Sequence, residues 1–230
     1  VAEQFPLDLP HQTAYGAADY LASDCNLAGR RLVENWRDWP QRAAAIWGGG
    51  GAGKTHLAEI WRAESGGARL DLAAFRALDL SVLESSPCFV LDLGDAAIAA
   101  GDERPLFHLL NLVRERQGAL LIVARMAPSR WPVSLADLAS RLRALPMAEA
   151  TAPDDGLFAA VLAKGFADRQ LVVDRQTVDY LTMRSERSFA AAHALVKRLD
   201  QAALARRRRI NVKLAGEVLA AMAVETEQEG

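Results

Sequence analysis

Apolar positions along the chain fall into two regimes, and the change between them sets the expected architecture. Between residues 43 and 149, short runs that are apolar at every position alternate with longer amphipathic stretches. The clear runs are 43–47 (AAAIW), 88–91 (CFVL) and 119–124 (ALLIVA), with weaker ones at 68–72 and 145–148. Runs apolar on both faces, separated by helical stretches at 54–64 and 105–116, are what a parallel sheet covered by helices on both sides requires. A first helix is expected over 26–36, with Asp24 or Asn26 as its N-cap. Beyond Glu149 the strand pattern stops. Residues 154–167, 174–183, 188–206 and 212–224 read as helices, the first opened by Asp154 or Asp155. The leading stretch Gln4-Phe5-Pro6-Leu7-Asp8-Leu9-Pro10 holds two prolines within five positions, which fixes the backbone and forbids a helix interior, so it reads as an extended tail. Three parts are expected: a tail over 1–18, an α/β core over 19–150 and a helical domain over 151–230.

Composition narrows the function classes. Of 230 residues, 27 are Lys or Arg and 29 Asp or Glu, a net charge of −2, with 51% apolar. That is globular composition, not disorder, and it lacks the positive footprint of a protein that wraps nucleic acid. The longest stretch without a charged side chain, 43–53, falls far short of the ~20 apolar residues of a membrane span. No signal sequence precedes the tail, so the cytoplasm is the expected compartment. Cys25 and Cys88 are distant from each other and no His lies at ligand spacing, which argues against a disulfide framework or a zinc site.

Directly after the AAAIW strand stands Gly48-Gly49-Gly50-Gly51-Ala52-Gly53-Lys54-Thr55, a match to G-x-x-x-x-G-K-[ST] that runs straight into a helical stretch. Glycines let successive main-chain N–H groups turn toward phosphate oxygens, and the helix that follows adds the positive end of its dipole. Lys54 would neutralise the outer phosphates, and the Thr55 hydroxyl is a magnesium ligand in such loops. Asp92, closing the CFVL strand, stands where a second magnesium-shell carboxylate belongs. Leu93 follows it where an acid would be expected to polarise water, so the motif supports nucleotide binding more strongly than hydrolysis.

Gly53-Lys54-Thr55-His56-Leu57 with its helix, Asp92 ending the next buried strand, and Asp137-Leu138-Ala139-Ser140-Arg141-Leu142 after a further strand together resemble the AAA+ core of the bacterial replication initiator DnaA. The chain ends at Gly230 without the initiator's helix-turn-helix DNA-binding domain, which narrows the resemblance to the shorter Hda-type homologues, over about residues 4–224. The resemblance implies an α/β P-loop AAA+ core, its parallel sheet flanked by helices, with a small C-terminal all-helical lid. It implies a negative regulator of replication initiation that binds ADP or ATP with Mg²⁺ on Thr55 and Asp92. It also implies docking on the sliding clamp of DNA polymerase III through Gln4, Phe5, Leu7 and Leu9, so that DNA is reached mainly through the clamp. Arg141 matches the arginine that acts in trans on ATP bound to DnaA. Arg187 matches the sensor 2 arginine, with Arg184 its near competitor. Tyr20 and Leu21 match the adenine-contacting stretch, although a hydrophobic staple before the first helix explains them almost as well.

At the sensor 1 position this chain carries Arg125 where relatives have a small polar or acidic residue. With Leu93, that points to nucleotide as a conformational ligand and to weak or no intrinsic ATPase. Two rival readings remain: a P-loop ATPase or kinase acting alone, and a DnaA-like adaptor recruiting another replication or segregation partner. The sequence also leaves a homo-oligomer open. Arg206-Arg207-Arg208-Arg209 reads as a solvated helix end, and Trp47 and Trp61 read as packing residues.

Overall fold

The computed structural model describes residues 21, 23–77, 83–84, 86–94 and 98–229. Five strands, β1 (Ala43–Trp47), β2 (Ala68–Leu70), β3 (Cys88–Asp92), β4 (Ala119–Ala124) and β5 (Met147–Glu149), form one sheet in the order β2-β3-β4-β1-β5. Every pairing is parallel, and the register sets Trp47 beside Ala124 and Asp92 beside Val123. The connections run to opposite sides of β1, which makes the C-terminal ends of β1 and β4 the place where a crevice opens in such sheets.

Side chains alternate between the two faces and both faces are covered, which is why these strands look uniformly apolar in sequence. Ala43, Ala45, Phe89, Leu91, Leu120 and Ile122 pack under α3 (Leu72–Ala77), α4 (Glu103–Glu115) and α5 (Ala136–Ala144). Ala44, Ile46, Val90, Leu121 and Val123 pack under α1 (Asp24–Glu34) and α2 (Lys54–Ser65). On that second face Trp61 is fully buried, stacked on Trp39 with ring centroids 5.4 Å apart and edge-on to Trp36 at 6.1 Å. Trp47 is only half-buried, and its ring lies 5.9 Å from the Arg130 guanidinium.

Residues after Ala150 form α6 (Asp155–Asp168), α7 (Arg175–Arg184), α8 (Phe189–Arg206) and α9 (Val212–Glu229) around their own core of Phe158, Leu162, Phe166, Leu181 and Leu195. Three of these helices open on side-chain caps: Asp154 accepts from Leu157 N at 2.7 Å, Asp174 from Thr177 N at 2.7 Å and Ser188 from Ala191 N at 3.0 Å. Among the described residues no helix is long and apolar enough to cross a membrane.

Several sequence expectations shift. Ser23, rather than Asp24 or Asn26, holds the cap position of α1. Asp24 is the first helical residue, and Asn26 reaches back to accept from Ser23 N at 2.9 Å. The apolar run 68–72 is a three-residue strand followed at once by α3, because Asp71 caps that helix by accepting from Ala74 N at 2.7 Å. The expected end of the last-but-one helix holds: Arg206 is the final residue of α8, Arg207 takes the left-handed conformation (φ 49°) that stops it, and 206–209 are exposed.

Candidate nucleotide site

The loop leaving β1 continues the sheet for one residue and then breaks away. Gly48 N donates to Ala124 O at 3.2 Å, which keeps it in register with β4. Its φ is +145°, and a Cβ there would run into the Ala150 carbonyl oxygen, so only glycine lets the loop turn beside β5. Gly51 (φ +68°) meets the helical region: a Cβ on it would stand 2.6 Å from Ser188 Cβ, and its carbonyl accepts from Phe189 N at 2.8 Å. Gly49 and Gly50 are exposed, Ala52 is buried, and Gly53 (φ +83°) leads into α2.

Lys54, the first residue of α2, folds its ammonium back over the loop and donates to Gly48 O at 2.8 Å and to Gly49 O at 2.5 Å. A cation on loop carbonyls, flanked by exposed glycine amides and the start of a twelve-residue helix, fits a polyphosphate. Thr55 is exposed beside it.

Asp92 fits magnesium less well. Its side chain is 12% exposed; Oδ2 accepts from Arg69 Nη2 at 2.9 Å and Oδ1 from Gly94 N at 3.0 Å. Arg69, on β2, also lies 3.6 Å from Glu59 of α2, which in turn takes Arg62 Nε at 2.8 Å. The carboxylate expected to hold a metal shell is thus already one member of an ion-pair chain. Among the described residues no group of three or more His, Cys, Asp or Glu side chains could hold a metal ion. Leu93 is buried and donates its N–H to Val123 O at 3.0 Å, placing an apolar side chain where a catalytic acid would be needed.

Arg125 directly follows β4, next to Ala124, which pairs with Trp47 where β1 gives way to the loop. A methyl group on Gly50 would meet Arg125 Nη2 at 3.2 Å, so the guanidinium lies against the loop. Arg187 is turned into the helical part: it pairs with Asp155, donates to Thr182 O and to Ser185 O at 2.8 Å, and stands 5.6 Å from the Phe158 ring centroid. Arg184 lies 4.2 Å from the Tyr180 ring centroid.

Arg141 lies away from this loop, on α5. Its Nη1 donates to Asn111 Oδ1 at 2.7 Å and its guanidinium stands 4.5 Å from the Phe107 ring centroid. Phe107 and Asn111 are four apart on α4 and share a face. Of the remaining sequence-based site residues, Leu21 gives its carbonyl to Asn26 Nδ2 at 2.8 Å. Tyr20, Gln4, Phe5, Leu7 and Leu9 lie outside the described residues. Sequence reading missed Arg69, Asn111 and Phe107. Only an arginine on the strand neighbouring the Asp92 strand offered a signal for the first, and nothing marked the other two.

Sheet order, glycine loop and helical appendage define a P-loop protein of the AAA+ fold. Domain III of DnaA from Thermotoga maritima superimposes with a TM-score of 0.75 at 14% identity, over 91% of this chain and 97% of that one. AMPPCP-bound DnaA from Aquifex aeolicus gives 0.66 at 16%, over 82% of this chain and 66% of that one. A RuvB variant from Thermotoga maritima gives 0.65 at 15%, over 85% and 67%. Residues 155–219 match the family model described as the lid domain of Hda. Residues 155–219 are thus similar to the Hda lid, and the chain shares the fold of DnaA domain III. No curated protein matches the chain in sequence.

Proposed function

We propose that this chain is a negative regulator of replication initiation that binds an adenine nucleotide in the 48–55 loop and acts on DnaA. In this reading Arg141 is presented in trans to ATP held by DnaA, and the tail residues Gln4, Phe5, Leu7 and Leu9 dock on the polymerase sliding clamp. The observation that carries it is the match of residues 155–219 to the Hda lid, on a chain whose remaining strands and loop make a P-loop core. The geometry of Arg141 supports the finger role: ring and amide partners hold the guanidinium in one place, and a preorganised cation stabilises charge developing on a transferring phosphoryl group at little reorganisation cost. The buried Leu93 supports a chain that turns over little ATP itself.

The test mixes ATP-loaded DnaA, clamp-loaded DNA and this chain. Hydrolysis of DnaA-bound ATP should rise with the wild type and stay at its unstimulated rate with Arg141→Ala or Gln4→Ala. Stimulation by Arg141→Ala equal to wild type would remove the finger assignment, and rapid ATP turnover by this chain alone would favour an independent ATPase.

A further inference from the structure

We infer that nucleotide binds the 48–55 loop without needing a divalent cation, because guanidinium groups of this chain supply the charge that magnesium supplies in other P-loop sites. The inference rests on the loop being a nucleotide site and goes beyond that reading to the loop's ion requirement. In a P-loop site the metal bridges phosphate oxygens and offsets the strand-end carboxylate that would otherwise repel them. Here that carboxylate, Asp92, itself 12% exposed, is offset from the other side by Arg69 at 2.9 Å, whose own side chain is about half exposed. Arg69 is held in turn by Glu59 at 3.6 Å and reaches Asp92 from β2, hydrogen-bonded beside β3, so the pairing is built into the sheet.

The second guanidinium faces the ligand side. Arg125 follows Ala124, which is paired with Trp47, so the register of β1 and β4 sets Arg125 beside the loop. Its Nη2 lies against Gly50. A planar guanidinium can give two parallel N–H donors to a phosphate, which a lysine cannot. With Lys54 on the Gly48 and Gly49 carbonyls, two cations from the protein line the loop, and the strand-end acid Asp92 is already paired.

Calorimetric titration of the full chain with ADP, in buffer with magnesium and in buffer with EDTA, tests this. Wild-type affinity should change by less than about threefold between the two buffers. Arg69→Gln, which leaves Asp92 unpaired, should weaken ADP by about tenfold or more in EDTA and recover in magnesium. The double variant Arg69→Gln with Asp92→Asn should lose that dependence again, a rescue that general damage to the fold would not produce. Arg125→Gln should weaken ADP more in EDTA than in magnesium. A wild type that loses tenfold in EDTA, an Arg69→Gln protein as indifferent to the cation as wild type, or an Arg125→Gln protein with unchanged affinity each overturns the inference. A folded wild type that takes ADP in neither buffer overturns the nucleotide reading beneath it.

Discussion

Phe189 N donates to Gly51 O at 2.8 Å, so the first residue of lid helix α8 is hydrogen-bonded to the P-loop itself. A helix start has N–H groups with no partner inside the helix. In α8 one is taken by the loop, and Ser188 Oγ takes the Ala191 N–H. Loop conformation and lid position are therefore a single arrangement. Gly51→Ala should break it twice over, through the left-handed φ of +68° and through a Cβ only 2.6 Å from Ser188. The backbone effect alone costs about 1–2 kcal/mol. The expected outcome is a lower melting temperature together with weaker ADP binding. Loss of stability with ADP affinity unchanged would show that lid and loop are not coupled.

Acid should destabilise the chain through its helix caps. Asp154 is held below the usual carboxylate range by the Leu157 amide and then the Ser23 hydroxyl, and Asp174 by the Thr177 hydroxyl and amide. Glu103 is lowered by the Ser134 amide and hydroxyl and by the Leu135 amide, and Asp102 by its hydrogen bonds from Arg76, against the effect of burial. Each folded value lies below its unfolded one, so the stabilisation is complete above the unfolded value and is lost as pH falls through the folded one. Urea midpoints should stay flat from neutral pH down to about 5 and fall steeply below about 4. Asp154→Asn with Asp174→Asn should flatten that fall; an unchanged slope would assign the acid sensitivity to other groups.

Asn111 and Phe107 should matter to any reaction Arg141 performs. They hold its guanidinium from α4 at 2.7 Å and 4.5 Å, while Glu103, at the start of the same helix, anchors the entry to α5 through Ser134 and Leu135 at 2.8–2.9 Å. Both ends of the contact are thus fixed. Asn111→Ala removes one partner and leaves the ring, so stimulation of DnaA-bound ATP hydrolysis should drop by about three- to tenfold, less than with Arg141→Ala, with ADP affinity untouched. Stimulation equal to wild type would mean that Arg141 is repositioned on meeting its partner.

The parts legible in the sequence were those fixed by local chemistry. The runs at 43–47, 88–91 and 119–124 became β1, β3 and β4 because being apolar on both sides has few other uses, and Asp154, Asp174 and Ser188 capped the helices they preceded. The glycine loop was equally local. What escaped depends on which strands lie side by side. Arg69 and Asp92 are 23 positions apart and meet only because β2 pairs with β3, and Arg125 reaches Gly50 only because β4 lies beside β1.

Phe158 offers a way to loosen the lid while leaving the sheet intact. Its ring is fully buried and packs with Leu162, Phe166, Leu181 and Leu195 in a cluster separate from the two that cover the sheet. Arg187 also rests near its face, 5.6 Å from the centroid. Phe158→Ala removes most of the side chain from a site with little freedom to collapse and should cost about 3–5 kcal/mol. Because β1, β3 and β4 draw none of their packing from this cluster, amide exchange should accelerate in α6, α7 and α8 and remain slow in those strands. The amide of Phe189, bonded to Gly51, is the reporter between the two regions: its exchange should rise with that of the lid. If the strands lost protection to the same degree, sheet and lid would unfold as one cooperative unit.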